Sequence, residues 1–284
     1  MMRLIVFFLG ALLSFGLIAC KNDNSTDQST SGKKKKLTLK DTVGHTDLVD
    51  VTFQADGITF KSFYSKPLIH DKPKPLVLII PEWWGINDYI RYRAQKIADM
   101  GYIGMGVDLY GDGFNTESPK IASEKATYFH THGKDAYKRF MAALRYAKTI
   151  PGVDTNKIAV MGYCFGGGIA GQLAFAGIPV KGVIIFHGDL PQEVPDTNLL
   201  KAPMLVLLGD DDKFVSTKDR ETFKHNMDKM GGYFKYISYP GAKHAFTNPK
   251  STEVGKKYKL DIAYNEMADE SSWWSLEGFL YLIF

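Results

Sequence analysis

Cys164 lies in the segment Val160-Met161-Gly162-Tyr163-Cys164-Phe165-Gly166-Gly167-Gly168, which has the form G-x-C-x-G. Glycines on either side of a potential nucleophile fit a strand-to-helix turn so tight that larger side chains would collide. This is the nucleophile elbow with cysteine in place of serine. Such a turn lifts the thiol above a sheet and points it at a helix N-terminus. The unpaired N–H groups and the positive dipole end there favour thiolate. The Phe165 N–H is then placed to donate to an oxyanion developing on a substrate. A glycine-rich turn also suits a buried, inert cysteine, so its partners must decide.

An attacking thiol needs a base, and the base needs an orienting acid. On this type of elbow they follow in the chain order nucleophile, acid, histidine. Past an apolar run ending at Leu208 comes Gly209-Asp210-Asp211-Asp212-Lys213-Phe214-Val215. Asp212 is the expected acid, a few residues after the glycine and ahead of an apolar pair, with Asp210 as the fallback. His244, in Tyr239-Pro240-Gly241-Ala242-Lys243-His244-Ala245-Phe246, is the expected base in a loop after the last strand. The other histidines fit worse. His45 precedes the first strands, and His70 sits in a Pro/Lys loop. His130 and His132 fall in a helical or loop stretch, His187 comes too early in the order, and His225 is mid-helix. No His/Asp/Glu cluster has ligand spacing, so no metal is expected. No phosphate-cradling or dinucleotide motif is present, so no cofactor is expected either.

The elements that must hold these residues alternate. A hairpin is expected from Val51–Phe53 and Ile58–Tyr64, turning at Ala55-Asp56-Gly57. Strands are expected over 76–80, 102–107, 157–161, 180–186, 204–208 and 234–239. Helices are expected over 87–100, 134–150, 166–176 and 219–230, and from about 260 to the C-terminus. Such alternation implies an α/β domain with a mostly parallel sheet flanked by helices on both faces. Ligands of such sheets gather at the carboxyl ends of the strands. Residues 41–284 are expected to form this single domain.

The N-terminus reads as an address. Residues 1–20 carry one cation, Arg3, then an apolar run ending in Leu17-Ile18-Ala19-Cys20. The pattern is that of a secretory signal, and its end resembles the bacterial lipobox, which implies lipidation of Cys20. A lipidated Cys20 is unavailable for a disulfide to Cys164. Residues 21–40 hold six lysines against two aspartates and almost no large apolar side chains, as in a flexible tether. The implied location is a bacterial cell envelope. The chain would be anchored by lipid, with the outer membrane favoured because Lys21 follows Cys20. The formal charge of the whole chain is +4, and most of it lies in this tether. The remainder is close to neutral, which excludes the basic face of a nucleic-acid binder. A monomer is expected.

Five stretches together resemble the dienelactone hydrolase family of α/β-hydrolases. They are Pro81-Glu82-Trp83-Trp84-Gly85, Val107-Asp108-Leu109-Tyr110, Gly162 to Gly167, Gly209 to Val215, and Gly241 to Phe246. The resemblance runs from about Asp50 to the C-terminus. It implies a triad of Cys164, Asp212 and His244, with Glu82 beside the thiol. Glu82 would keep the resting cysteine neutral and take its proton when substrate binds. The Trp83 N–H would be the second oxyanion donor, with Phe165. The family also grips a substrate carboxylate with arginines, one after the Asp-Leu-Tyr stretch and one just past the histidine. Neither is present here, and Asn or Gly does not replace a bidentate guanidinium. Trp84, Tyr110 and Phe246 instead indicate an aromatic-lined pocket. The expected reaction is hydrolysis of a small ester, lactone or thioester other than dienelactone. The rival expectation is a weak or inactive hydrolase-fold lipoprotein that binds a small ligand at the cell envelope.

Overall fold

A computed structural model describes residues 47–68, 72–193, 196, 198–229 and 233–284. The signal, the tether and Cys20 lie outside the described residues. The hairpin is β1 (Asp47–Ala55) and β2 (Ile58–Lys66), joined through Asp56 and Gly57, both at positive φ as an Asp-Gly turn requires. Then come β3 (Lys74–Ile80), α1 (Asp88–Asp99), β4 (Ile103–Gly106), α2 (Pro119–Thr131), α3 (Gly133–Ala147), β5 (Val153–Tyr163) and α4 (Phe165–Phe175). The chain continues through β6 (Gly182–Phe186), β7 (Met204–Gly209), α5 (Thr217–Lys229), β8 (Phe234–Tyr239), α6 (Ser251–Tyr258) and α7 (Glu266–Ile283).

The strands form one eight-stranded sheet in the order β1-β2-β4-β3-β5-β6-β7-β8. β3 through β8 pair in parallel, while β1 and β2 complete one edge in antiparallel register. Strand alternation divides the core in two. Leu76, Leu78 and Ile80 of β3 face Phe140 of α3, Ile169 of α4 and Phe223 of α5. Val77 and Ile79 face the opposite side, with Ile90 and Ile97 of α1 and Trp273 and Leu276 of α7. The expected α/β class is therefore observed, with helices on both faces.

One expectation needs correction. The C-terminal helix does not begin near Leu260. α6 ends at Tyr258, Lys259 turns left-handed at φ 56°, and α7 starts only after Asn265, whose side chain accepts the Ala268 N–H. The stretch holding His130 and His132 resolves into α2, opened by Pro119 in its first turn, with His132 separating it from α3.

Candidate active site

Five parallel strands, adjacent in the sheet, release their chains at the same edge. Glu82 follows β3, Cys164 follows β5, His187 follows β6, Asp212 lies just past β7, and His244 lies past β8. The sheet thus gathers residues far apart in sequence, as expected at the carboxyl ends of parallel strands.

Cys164 occupies the turn between β5 and α4 at φ 53° and ψ −118°, outside the region an L-residue prefers. The turn is possible because of what flanks it. A Cβ on Gly162 would come within 2.0 Å of the Gly166 carbonyl oxygen, and one on Gly166 within 2.3 Å of the Ile80 oxygen. The half-buried thiol is free of any disulfide. As first residue of α4, Phe165 has no intrahelical acceptor for its N–H. The Trp83 N–H likewise meets no backbone acceptor among the described residues.

His244 is buried, and its Nδ1 lies 2.9 Å from Asp212 Oδ2. The other Asp212 oxygen accepts the Phe214 N–H at 2.9 Å, so the buried carboxylate is held at both ends. Arg220 donates to the backbone oxygens of Gly209, Asp212 and Val215, fixing the loop that presents it. Asp210 instead accepts from Ser238 on the exposed side of β8. Burial opposes charge on His244, but the neighbouring Cys164 sulfur and the Asp212 carboxylate outweigh it and hold its pKa well above the usual imidazole range.

Glu82 is 2% exposed, and Asn248 Nδ2 donates to its Oε2 at 2.8 Å. Burial raises its pKa from 4.5 to about 7, against the opposing pull of Asn248, His244 and Arg93. Asn248 was not among the residues expected from sequence. It follows the histidine closely, where the family's arginine was sought, and it binds the site's own carboxylate.

A cavity of about 170 Å³ opens over these groups, lined by Glu82, Cys164, His244 and Asn248 and walled by Trp83, Trp84, Phe165, Phe214, Val254 and Ile262. Among the described residues, no lysine or arginine lines it. Trp84 is in the wall, as expected. Tyr110 and Phe246 are not. Tyr110 packs behind Phe165 and donates its hydroxyl to the Trp83 oxygen at 3.2 Å. Phe246 is fully buried, wedged between Tyr239 and His187. Both rings pack beneath residues of the site rather than facing its cavity. α6 supplies the Val254 wall, a contribution the sequence reading placed on no element.

Behind the cavity runs a buried polar chain that the sequence did not reveal. The Cys164 N–H donates to the Phe186 oxygen at 3.0 Å and to His187 Nδ1 at 3.2 Å. His187 Nε2 is 2.7 Å from Thr247 Oγ1, which lies 2.5 Å from the Tyr89 hydroxyl. Arg93, 1% exposed, donates to Tyr89 and to the Thr247 oxygen and pairs with Asp269 at 2.6 Å. His187 was set aside on chain order alone. Its position directly after an apolar strand was the available signal.

A model of the dienelactone hydrolase family matches residues 62–282. The chain belongs to the dienelactone hydrolase family. It is 25% identical over 270 residues to a protein of Saccharolobus solfataricus provisionally named carboxymethylenebutenolidase, a match covering 81% of this chain and 97% of that one. Protein usf of Aquifex pyrophilus is 26% identical over 223 residues, covering 76% and 94% of the two chains. Among solved structures, a dienelactone hydrolase-like promiscuous phosphotriesterase from metagenomic libraries superposes with a TM-score of 0.80 at 25% identity. That match covers 85% of this chain and all of the other. The fold is that of the α/β-hydrolases, and the family is one of hydrolases acting on small ester substrates.

Proposed function

We propose that this dienelactone hydrolase-family protein cleaves uncharged carboxylic esters, lactones or thioesters, with Cys164 as nucleophile. The observation that carries this reading is the 2.9 Å contact of His244 with Asp212 on the cavity that also holds the Cys164 elbow. The Cys164 thiolate adds to the acyl carbon, and the Trp83 and Phe165 N–H groups receive the oxyanion. His244, oriented by Asp212, protonates the leaving group. It then takes a proton from water as water attacks the thioester. Glu82, with its pKa near 7, is suited to exchange a proton with the site as substrate enters and leaves.

An uncharged substrate is supported by the lining, which among the described residues has no lysine or arginine and carries Glu82 and Asp189, while the His244 imidazolium is already paired with Asp212. Arg139, the cation beneath Tyr110, spends its guanidinium on the Leu109 and Tyr110 oxygens. A second electrophile follows from the phosphotriesterase neighbour, because a neutral phosphotriester suits the same uncharged, aromatic-walled cavity.

The test is turnover of p-nitrophenyl acetate, a carboxylate-bearing lactone and a neutral phosphotriester by the full chain and its Cys164→Ala variant. Acetate turnover lost in the variant supports the reading, and equal rates in both overturn it. A stable acyl adduct on Cys164 without turnover favours the ligand-binding rival. The lipobox-like end at Cys20 supports an envelope lipoprotein, and its catalytic domain is proposed to be a monomer. Loss of fatty-acid labelling in Cys20→Ser, with release from the membrane fraction, tests the anchor. Light scattering of the released protein tests the oligomeric state.

A further inference from the structure

His187 is buried, and its two ring nitrogens reach two different loops of the site. Nδ1 meets the Cys164 N–H, on the elbow. Nε2 meets Thr247 Oγ1, on the loop that carries His244 and Asn248. An ordinary core histidine ties scaffold to scaffold, whereas this one ties the loop of the nucleophile to the loop of the base.

The chemistry fixes its protonation. A backbone N–H only donates, so Nδ1 must present a lone pair and the single ring proton sits on Nε2. Nε2 then donates to Thr247. Burial, with the nearby His244 and Arg93 charges, keeps the ring neutral. Neutrality matters, since the His187 and His244 rings lie 5.4 Å apart and a second cation would oppose the first. The Thr247 end is itself anchored, its oxygen accepting from Arg93 Nη2 at 2.6 Å. The elbow and the bridging residue both carry backbone strain, with φ 53° at Cys164 and φ 38° at His187. Such conformations persist where surrounding contacts over-determine them.

We propose that His187 is a positioning residue for the nucleophile: as a neutral Nε2–H tautomer it clamps the Cys164 elbow to the Thr247 hydroxyl, setting the thiol against His244. This rests on the reading of Cys164 as nucleophile. The bridge makes no contact with substrate and no proton passes along it. Its effect is the register between the sulfur and the base.

Two pairs of variants test it, each measured by steady-state kinetics on p-nitrophenyl acetate, by the iodoacetamide alkylation rate of Cys164 across pH, and by thermal melting. His187→Leu removes both contacts. His187→Asn keeps an acceptor oxygen where Nδ1 stood and tolerates positive φ. Leucine is expected to lower kcat about thirty-fold with KM little changed, and asparagine to recover most of that loss. Alkylation in His187→Leu is expected to lose the wild-type pH dependence, because the thiol no longer faces the imidazolium. Thr247→Val should reproduce the leucine effect and Thr247→Ser should not, which keeps the proposal open to test if His187→Leu does not fold. A folded His187→Leu with wild-type kcat and alkylation overturns the proposal. So does an equal loss in leucine and asparagine variants that tracks melting temperature alone. If Cys164→Ala retains turnover, the hydrolase reading fails by itself, and the alkylation profiles still decide whether His187 sets the thiol.

Discussion

The two oxygens of Asp212 have separate tasks, one against His244 Nδ1 and the other against the Phe214 N–H. An amide there presents one donor and one acceptor, so Asp212→Asn leaves His244 without a fixed tautomer. We expect kcat for p-nitrophenyl acetate to fall about 100-fold or more, as in other triads. Asp210→Asn, whose side chain faces Ser238, should leave kcat unchanged. Glu82 gives a pH signature. Its carboxyl ionises near pH 7, so a wild-type kcat/KM limb rising through that region is expected to vanish in Glu82→Gln. The choice between the aspartates was legible in sequence, because it depends on distance from a strand end. The Asn248–Glu82 contact was not, since an amide and a carboxylate so far apart in the chain carry no mutual signal until the sheet folds.

Among the elements, the turn from β5 to α4 tolerates least. Gly162→Ala would drive a methyl group into the Gly166 backbone. Overpacking of this kind costs about 1–3 kcal/mol in cores that can relax, and here both parties are backbone. We expect the variant to melt well below wild type or to be recovered unfolded, as read by circular dichroism. β8 runs over Phe234–Tyr239, the span its alternation and the Gly231-Gly232 before it predict. α6 was missed for an equally physical reason. Ser251–Tyr258 has three lysine or glutamate positions and few apolar ones, and only Ser251 and Gly255 are buried. A helix of eight residues makes little more than two turns, too short a window for its periodicity to be read.

For the molecule as a whole, buried charges bear on stability. Arg93 is buried and neutralised by Asp269 of α7. Asp269→Ala strands that cation, and breaking such a pair costs about 3–5 kcal/mol, so a lower urea midpoint is expected. Glu82 adds a pH dependence. Its folded pKa is raised, so the native state holds the proton more tightly than the unfolded chain. The associated stability is complete below about 4.5 and lost as pH rises through about 7. It amounts to roughly 3 kcal/mol by linkage. Urea midpoints should therefore fall between pH 4.5 and pH 7.5 in wild type and stay flatter in Glu82→Gln. The Arg93–Asp269 pair also makes the last helix a condition of a site it never touches. A chain cut before Asp269 keeps Cys164, Asp212 and His244 but lacks the carboxylate that neutralises Arg93, whose guanidinium holds the Thr247 loop.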